Sequence, residues 1–461
     1  MRYVKSIICV LICLGLIVAC SDFLEEKSQD EVIPANTTDY REILLNYQQT
    51  AFSEAILVMD DDVKINESRY WGDYPNSLAQ TLASCFTWQS DMWEDLNTLE
   101  SQYESMYTSI MAMNAILENI DDVEGDITEV EIVKAQALGT RAYYYFILVN
   151  MFGEPYNFNK EAAGVVLKLE SPYRESGMER ATVEKVYAQI VEDLEEASLL
   201  FNKYPKQRGD FLMNVTAADI LLSRVYLYME EWTKAEEAAT RAIESAEGLM
   251  DYTTLPTGQN FYMTSYTNSE VEWMFCQLLL SNVLMPSNEL VSKFDANDRR
   301  VEFLSRSSGS IKKVDIEEKG PNIMIRSAEA YLNRAEARVL SPKPDLTGAL
   351  ADLNELRRHR ITGYLDVDIK DADILLNEIR DERRKELCFE GHRWFDLRRY
   401  GMPSFYHDFR VSLVEPLLRY TLQEKDPLYT LPIPRDVLEN NVELEQNSSV
   451  LEPARNGFQI N

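Results

Sequence analysis

Histidine is almost missing from this chain: His359, His392 and His407 are the only three in 461 residues, and none stands three or four positions from another. A metal centre built on helical His pairs is therefore poorly supplied. Basic residues are also scarce, since 46 Lys and Arg face 77 Asp and Glu and leave a formal charge of −31. Such a surface repels phosphate backbones and anionic membranes, which excludes nucleic acid and suits a neutral ligand or a partner with basic patches. Cysteine is sparse too. Cys9, Cys13 and Cys20 lie at the N-terminus, and the widely spaced Cys85, Cys276 and Cys388 make no disulfide framework, so each is expected as a small buried hydrophobe.

The chain opens MRYVKSIICVLICLGLIVAC, with Arg2 and Lys5 ahead of an apolar run. This reads as a secretory signal over residues 1–19, too short and asymmetric for a membrane span. The junction Ile17-Val18-Ala19-Cys20 resembles a bacterial lipobox, which makes Cys20 the expected site of lipid attachment, and the following SDFLEE resembles the acidic export signal of Bacteroidetes surface lipoproteins. Acyl chains would hold the protein to a membrane by burying methylenes. Residues 20–38 would then form a lipidated N-terminus and tether, and residues 39–461 a single domain.

Most of that domain reads as helix. LESQYESMYTSIMAMNAILENI carries helical apolar spacing, EIVKAQALGTRAYYYFILVNMFG follows at once as a second helix paired with it, and VEKVYAQIVEDLEEASLLF follows Thr182, a good N-cap. In TAADILLSRVYLYMEEWTKAEEAATRAIESAEG, small Ala217, Ala235, Ala239 and Ala242 alternate with large Leu221, Tyr226, Leu227 and Trp232. That is the helix–turn–helix grammar of a tetratricopeptide repeat. Four helix pairs are expected, near 99–151, 182–247, 326–360 and 372–399.

Two regions, 60–97 and 248–320, break the pattern with Gly, Pro, Asn and aromatics and read as loops with short strands. Loops on a rigid scaffold are where ligands usually bind. Sugar rings stack their C–H faces on aromatic planes, and their hydroxyls take hydrogen bonds from Arg, Asn and Asp. The expected ligand residues are accordingly Arg69, Tyr70, Trp71, Asp73, Tyr74, Trp88 and Asn97, with Tyr252, Tyr262, Tyr266 and Trp273, although aromatics are also the usual core of such loops.

The stretch ERRKELCFEGHRWFDLRRYG, residues 382–401, has the ingredients of a catalytic site: Glu382, Glu386 and Glu390 at every fourth residue, then His392. Arg383, Arg384 and Lys385 are interleaved with them, so the economical reading is a charge network that seals the fold. Carboxylates held by arginines are pulled to low pKa, the wrong direction for a general acid. On the same helix Ile374, Leu375, Ile379 and Leu387 should face inward. DVDIKDAD fails as a calcium loop because Lys370 and Asp371 occupy its fifth and sixth positions. Asp60-Asp61-Asp62 reads as a solvated helix end. No cofactor is implied.

PSNELVSKFDANDRR, GPNIMIRSAEAYLNRAEARV, residues 378–401 and YTLPIPRDVLENNVELEQN resemble, in order, the motifs of the SusD/RagB nutrient-uptake lipoproteins of Bacteroidetes, with the lipobox in place at the start. The segment between Asp298 and Ile323 is short by that comparison. The resemblance implies a mainly α fold, a right-handed superhelix of four tetratricopeptide-like helix pairs with a loop-rich variable part. It also implies a non-enzymatic, cell-surface lid on a SusC-like TonB-dependent outer-membrane transporter that captures an oligosaccharide. A peptide- or protein-binding lipoprotein of the same importer type is the alternative. An α-helical glycosidase would need two carboxyls paired in an aromatic cleft, and nothing in the sequence pairs them.

Overall fold

The computed structural model describes residues 34–48, 55–93, 97–172, 177–206, 208, 212–256, 268–276, 282–305, 308–313 and 323–460. Cys20 and the expected tether up to residue 33 lie outside them. Among the described residues, no helix is long and apolar enough to cross a membrane.

The principal helices are α1 (Thr37–Tyr47), α2 (Ser77–Phe86), α3 (Asn97–Asn119), α4 (Ile127–Phe152), α5 (Val183–Phe201), α6 (Val215–Tyr228), α7 (Trp232–Ser245), α8 (Ala328–Leu340), α9 (Leu346–Arg358), α10 (Ala372–Leu387) and α11 (Arg393–Arg399). Side-chain caps set their starts. The Thr182 hydroxyl accepts the Lys185 N–H, the Asn214 amide oxygen that of Ala217, and the Asp371 carboxylate that of Ile374. From α3 onward each helix packs on the next as far as α9, and α10 lies back across α8. The chain thus has the mainly α, tetratricopeptide-like fold expected of it. Segment 182–247 contributes three helices, α5 to α7. Of the last two, α10 packs on α8 and α9, while α11 packs on the short helices Ala55–Val58 and Tyr156–Asn159.

Helix α4 is the centre of the body. Its run from Ala135 to Phe152 is buried on all sides, as an all-round apolar helix must be. Gly139 permits the next layer to approach, since a Cβ there would lie 1.9 Å from Met213 Sδ. Ala217, Ala235, Ala239 and Ala242 are fully buried, which lets α6 and α7 sit close. Ile374 departs from expectation. It is 56% exposed, and Leu375, Ile379 and Leu387 alone of the four face inward.

Among the described residues, three small antiparallel sheets complete the fold. β1 (Val63–Ile65) pairs with β3 (Leu284–Pro286), β2 (Val271–Cys276) with β4 (Ile323–Arg326), and β5 (Phe405–Phe409), β6 (Leu418–Leu422) and β7 (Phe458–Gln459) lie in that order. Region 60–97 is more regular than the sequence suggests. Helix α2 runs through its middle, capped by the Asn76 side chain on Ala79 N–H, and β1 precedes it.

Candidate ligand-binding surface

The expected ligand residues separate into three groups. Trp71 and Tyr74 stand 91% and 80% exposed, with Arg69 and Asp73 exposed beside them. They occupy a turn that depends on Gly72, whose φ of +62° favours glycine although its Cβ position is open. The base of the turn is fixed from both sides. Tyr70 donates its hydroxyl to Arg410 O at 2.6 Å, Asn76 N–H donates to Val411 O at 2.9 Å, and the Asn76 amide donates to Arg69 O at 3.2 Å. Arg410 in turn clamps both oxygens of Glu67 at 2.8 and 2.6 Å. The result is a rigid pedestal with two aromatic faces in water. Glu67, Asn76 and Arg410 escape a sequence reading because Arg410 meets the turn only in three dimensions; the Asn76-Ser77 N-cap is the one local signal.

A second group is core, and the reading of these residues as ligand contacts is corrected. Trp88 is fully buried: its Nε1–H donates to Met59 O at 2.9 Å, and its ring stacks on His407 with centroids 4.4 Å apart. Trp273 is fully buried against Phe275, centroids 3.9 Å apart, and Tyr252 lies under the Arg360 guanidinium at 4.0 Å. Tyr70 is 8% exposed, and burial pushes its phenol up to about 12, so it serves as an anchor for the turn. Each ring presents a flat apolar face that the scaffold itself covers.

The third group lies outside the described residues: Tyr262, Tyr266 and the side chain of Asn97, whose backbone opens α3.

Residues 382–401 form a buried ion network. Glu386 receives Arg326 at 2.5 Å, Arg300 at 2.8 Å and Arg360 at 2.9 Å. Glu382 receives Arg300, Arg357 and Lys385, and Glu390 receives Arg326 and Lys313. Burial works to raise the pKa of all three carboxyls, but the facing guanidinium and ammonium groups win and hold them below the ordinary range. A carboxylate so held has no proton to give. His392 is buried, and burial together with Arg224 and Arg383 keeps its imidazole neutral. The network ties β4, the 298–300 loop and α9 to α10.

Asp60, Asp61 and Asp62 join the same construction and are not a solvated helix end. Arg384 reaches Asp62 at 2.6 Å and Arg393 reaches Asp61 at 2.6 Å, and those arginines, against the pull of burial, hold Asp61 at about 2. Among the described residues Asp60 has no such ion-pair partner; burial and its two acidic neighbours push its carboxyl well up. Both ring nitrogens of His407 face carbonyls, Phe86 O at 2.7 Å and Asp60 O at 2.8 Å. Burial outweighs both and lowers the imidazole to about 4. Cys85 and Cys388 are buried, and burial raises the Cys388 thiol to about 12.

Comparison with known proteins adds a frame to this geometry. A family model described as "Starch-binding associating with outer membrane" matches residues 22–227, and the SusD family model matches residues 303–449. The SusD-like protein P2 of Formosa agariphila is 24% identical over 429 residues, which cover 77% of this chain and 81% of that protein. A SusD superfamily protein of Bacteroides thetaiotaomicron superposes with a TM-score of 0.71 at 23% identity, over 90% of this chain and 100% of its own. A candidate sugar binding protein of Bacteroides vulgatus does so with a TM-score of 0.71 at 26% identity, over 91% and 99%. With one model matched on the helices around α4 and the other on the charged network of α10, the chain belongs to the SusD/RagB family.

Proposed function

We propose that this protein captures an oligosaccharide at the surface of an outer membrane, using the turn at residues 69–75, as the lid of a SusC-like TonB-dependent importer. The observation that carries the reading is the pair Trp71 and Tyr74, large aromatics left in water on a turn pinned at its base. Exposed aromatic faces of this kind match the C–H faces of sugar rings, and Arg69 and Asp73 offer a donor and an acceptor for ring hydroxyls. Family membership and the sugar-binding relative support the ligand class, and the outer-membrane family model supports the location. The surplus of acidic residues favours a neutral glycan over a uronate-rich one. Anchoring through Cys20 lets the body swing on its tether. The test is a glycan and peptide array probed with the protein lacking residues 1–20. Binding confined to glycans, and lost in Trp71→Ala/Tyr74→Ala, is expected; binding confined to peptides would replace the ligand class.

A further inference from the structure

A concave site whose lining includes no residue of the 69–75 turn offers a second surface. A groove of about 320 Å³ opens where the loop after α4, the 402 and 425–430 turns and the C-terminal 445–449 segment meet. That volume is at the small end of ligand pockets. We infer that this groove is a second saccharide site, sized for one or two neutral sugar rings; the ligand class rests on the proposed function.

The walls are rigid. Arg180 donates to the carbonyls of Phe152, Ala163, Gly164 and Glu445 at 2.7, 2.8, 2.7 and 3.0 Å, and to Asn447 Oδ1 at 2.8 Å, so one guanidinium ties three separate segments together. Arg398 caps the end of α4 from beneath through Asn150 O and Gly153 O. At the opposite wall Met402 and Lys425 both adopt left-handed backbone, φ +57° and +55°, and Lys425 N–H donates to Met402 O at 2.8 Å. Non-glycine residues hold such angles only where the surroundings over-determine them, and they gather at ligand sites.

The lining is unspent chemistry. Ser449 is 1% exposed, and its hydroxyl has no hydrogen-bond partner among the described residues. A buried hydroxyl left so is destabilising unless something supplies the bond. Glu154, Lys425 and Glu445 line the groove, and none of their side chains makes an ion pair with a described residue. Phe158, 56% exposed, adds an aromatic face. Two carboxylates, one ammonium and a hydroxyl around one aromatic plane mix donors with acceptors, the pattern a polyhydroxylated ring satisfies. An anion would meet Glu154 and Glu445, and a peptide side chain would find little apolar depth.

The test titrates the full-length chain, in detergent, with maltose, cellobiose, laminaribiose, xylobiose and mannobiose by calorimetry. In parallel, Trp71→Ala is judged on retardation in gels containing starch, xylan, laminarin or mannan. We expect at least one disaccharide to bind, and Phe158→Ala and Ala163→Trp each to weaken it tenfold or more; both positions are solvent-facing, and melting curves check the fold. No disaccharide binding to the unaltered chain, or affinity within twofold in a folded Phe158→Ala protein, overturns the groove. Gel retardation that persists in Trp71→Ala bears on the 69–75 turn alone, so the two failures are distinguishable.

Discussion

Trp71 and Trp88 lie in one loop-like stretch of sequence and have opposite fates. Trp71 touches mainly water, so Trp71→Ala should change stability by no more than about 0.5 kcal/mol while weakening glycan binding about tenfold, or ~1.4 kcal/mol. Trp88→Ala removes a ring packed between His407 and Phe405 together with the hydrogen bond to Met59 O. It should cost about 3–5 kcal/mol of stability. Urea denaturation and calorimetry on both variants check the contrast, and a stable Trp88→Ala protein that no longer binds glycan would return Trp88 to the ligand surface. Their difference is not legible in the chain because the covering group, His407, arrives from β5, more than three hundred residues downstream. Tyr252 and Trp273 are hidden for the same reason: a loop aromatic looks alike whether its face meets sugar or scaffold.

Among the elements, α10 carries the clearest energetic consequence. Glu386 serves Arg300, Arg326 and Arg360 at once, so Glu386→Gln should destabilise the protein by about 3–5 kcal/mol by leaving buried cations under-compensated. Its folded pKa lies below its unfolded value of about 4.3. The stabilisation is therefore complete above the unfolded pKa and is lost as pH falls toward the folded one. Denaturation of the parent and Glu386→Gln proteins at pH 7 and pH 3 should show the gap between them narrowing at the lower pH; a gap independent of pH would mean the carboxylate is not the stabilising form. The role of this stretch was readable in advance because acids and bases alternate locally along 381–390. Asp60, Asp61 and Asp62 were misleading, since Arg384 and Arg393, which pair with Asp62 and Asp61, are remote in sequence. Helix α5 was readable from its period and its Thr182 cap, whereas α2 was masked by the Gly, Pro and aromatic residues that precede it.

On the scale of the whole molecule, a helical superhelix bears a rigid aromatic turn on one part of its surface and is expected to hang from a lipid at Cys20. Cys20→Ala should release the protein from the membrane fraction, read by fractionation and surface labelling of cells; unchanged surface labelling would remove the anchor from the account. The fold was legible because helix period, small-residue stripes and the 378–401 motif are local patterns that the structure preserves. The ligand surface was legible only as a region, because exposure is decided by long-range packing such as Tyr70 on Arg410 O. The central claim, that the pinned 69–75 turn holds a sugar, is tested most directly by calorimetric titration of the polysaccharide selected on the array into the parent and Trp71→Ala/Tyr74→Ala proteins. The account predicts a loss of tenfold or more with an unchanged melting temperature, and equal affinity in the two proteins would contradict it.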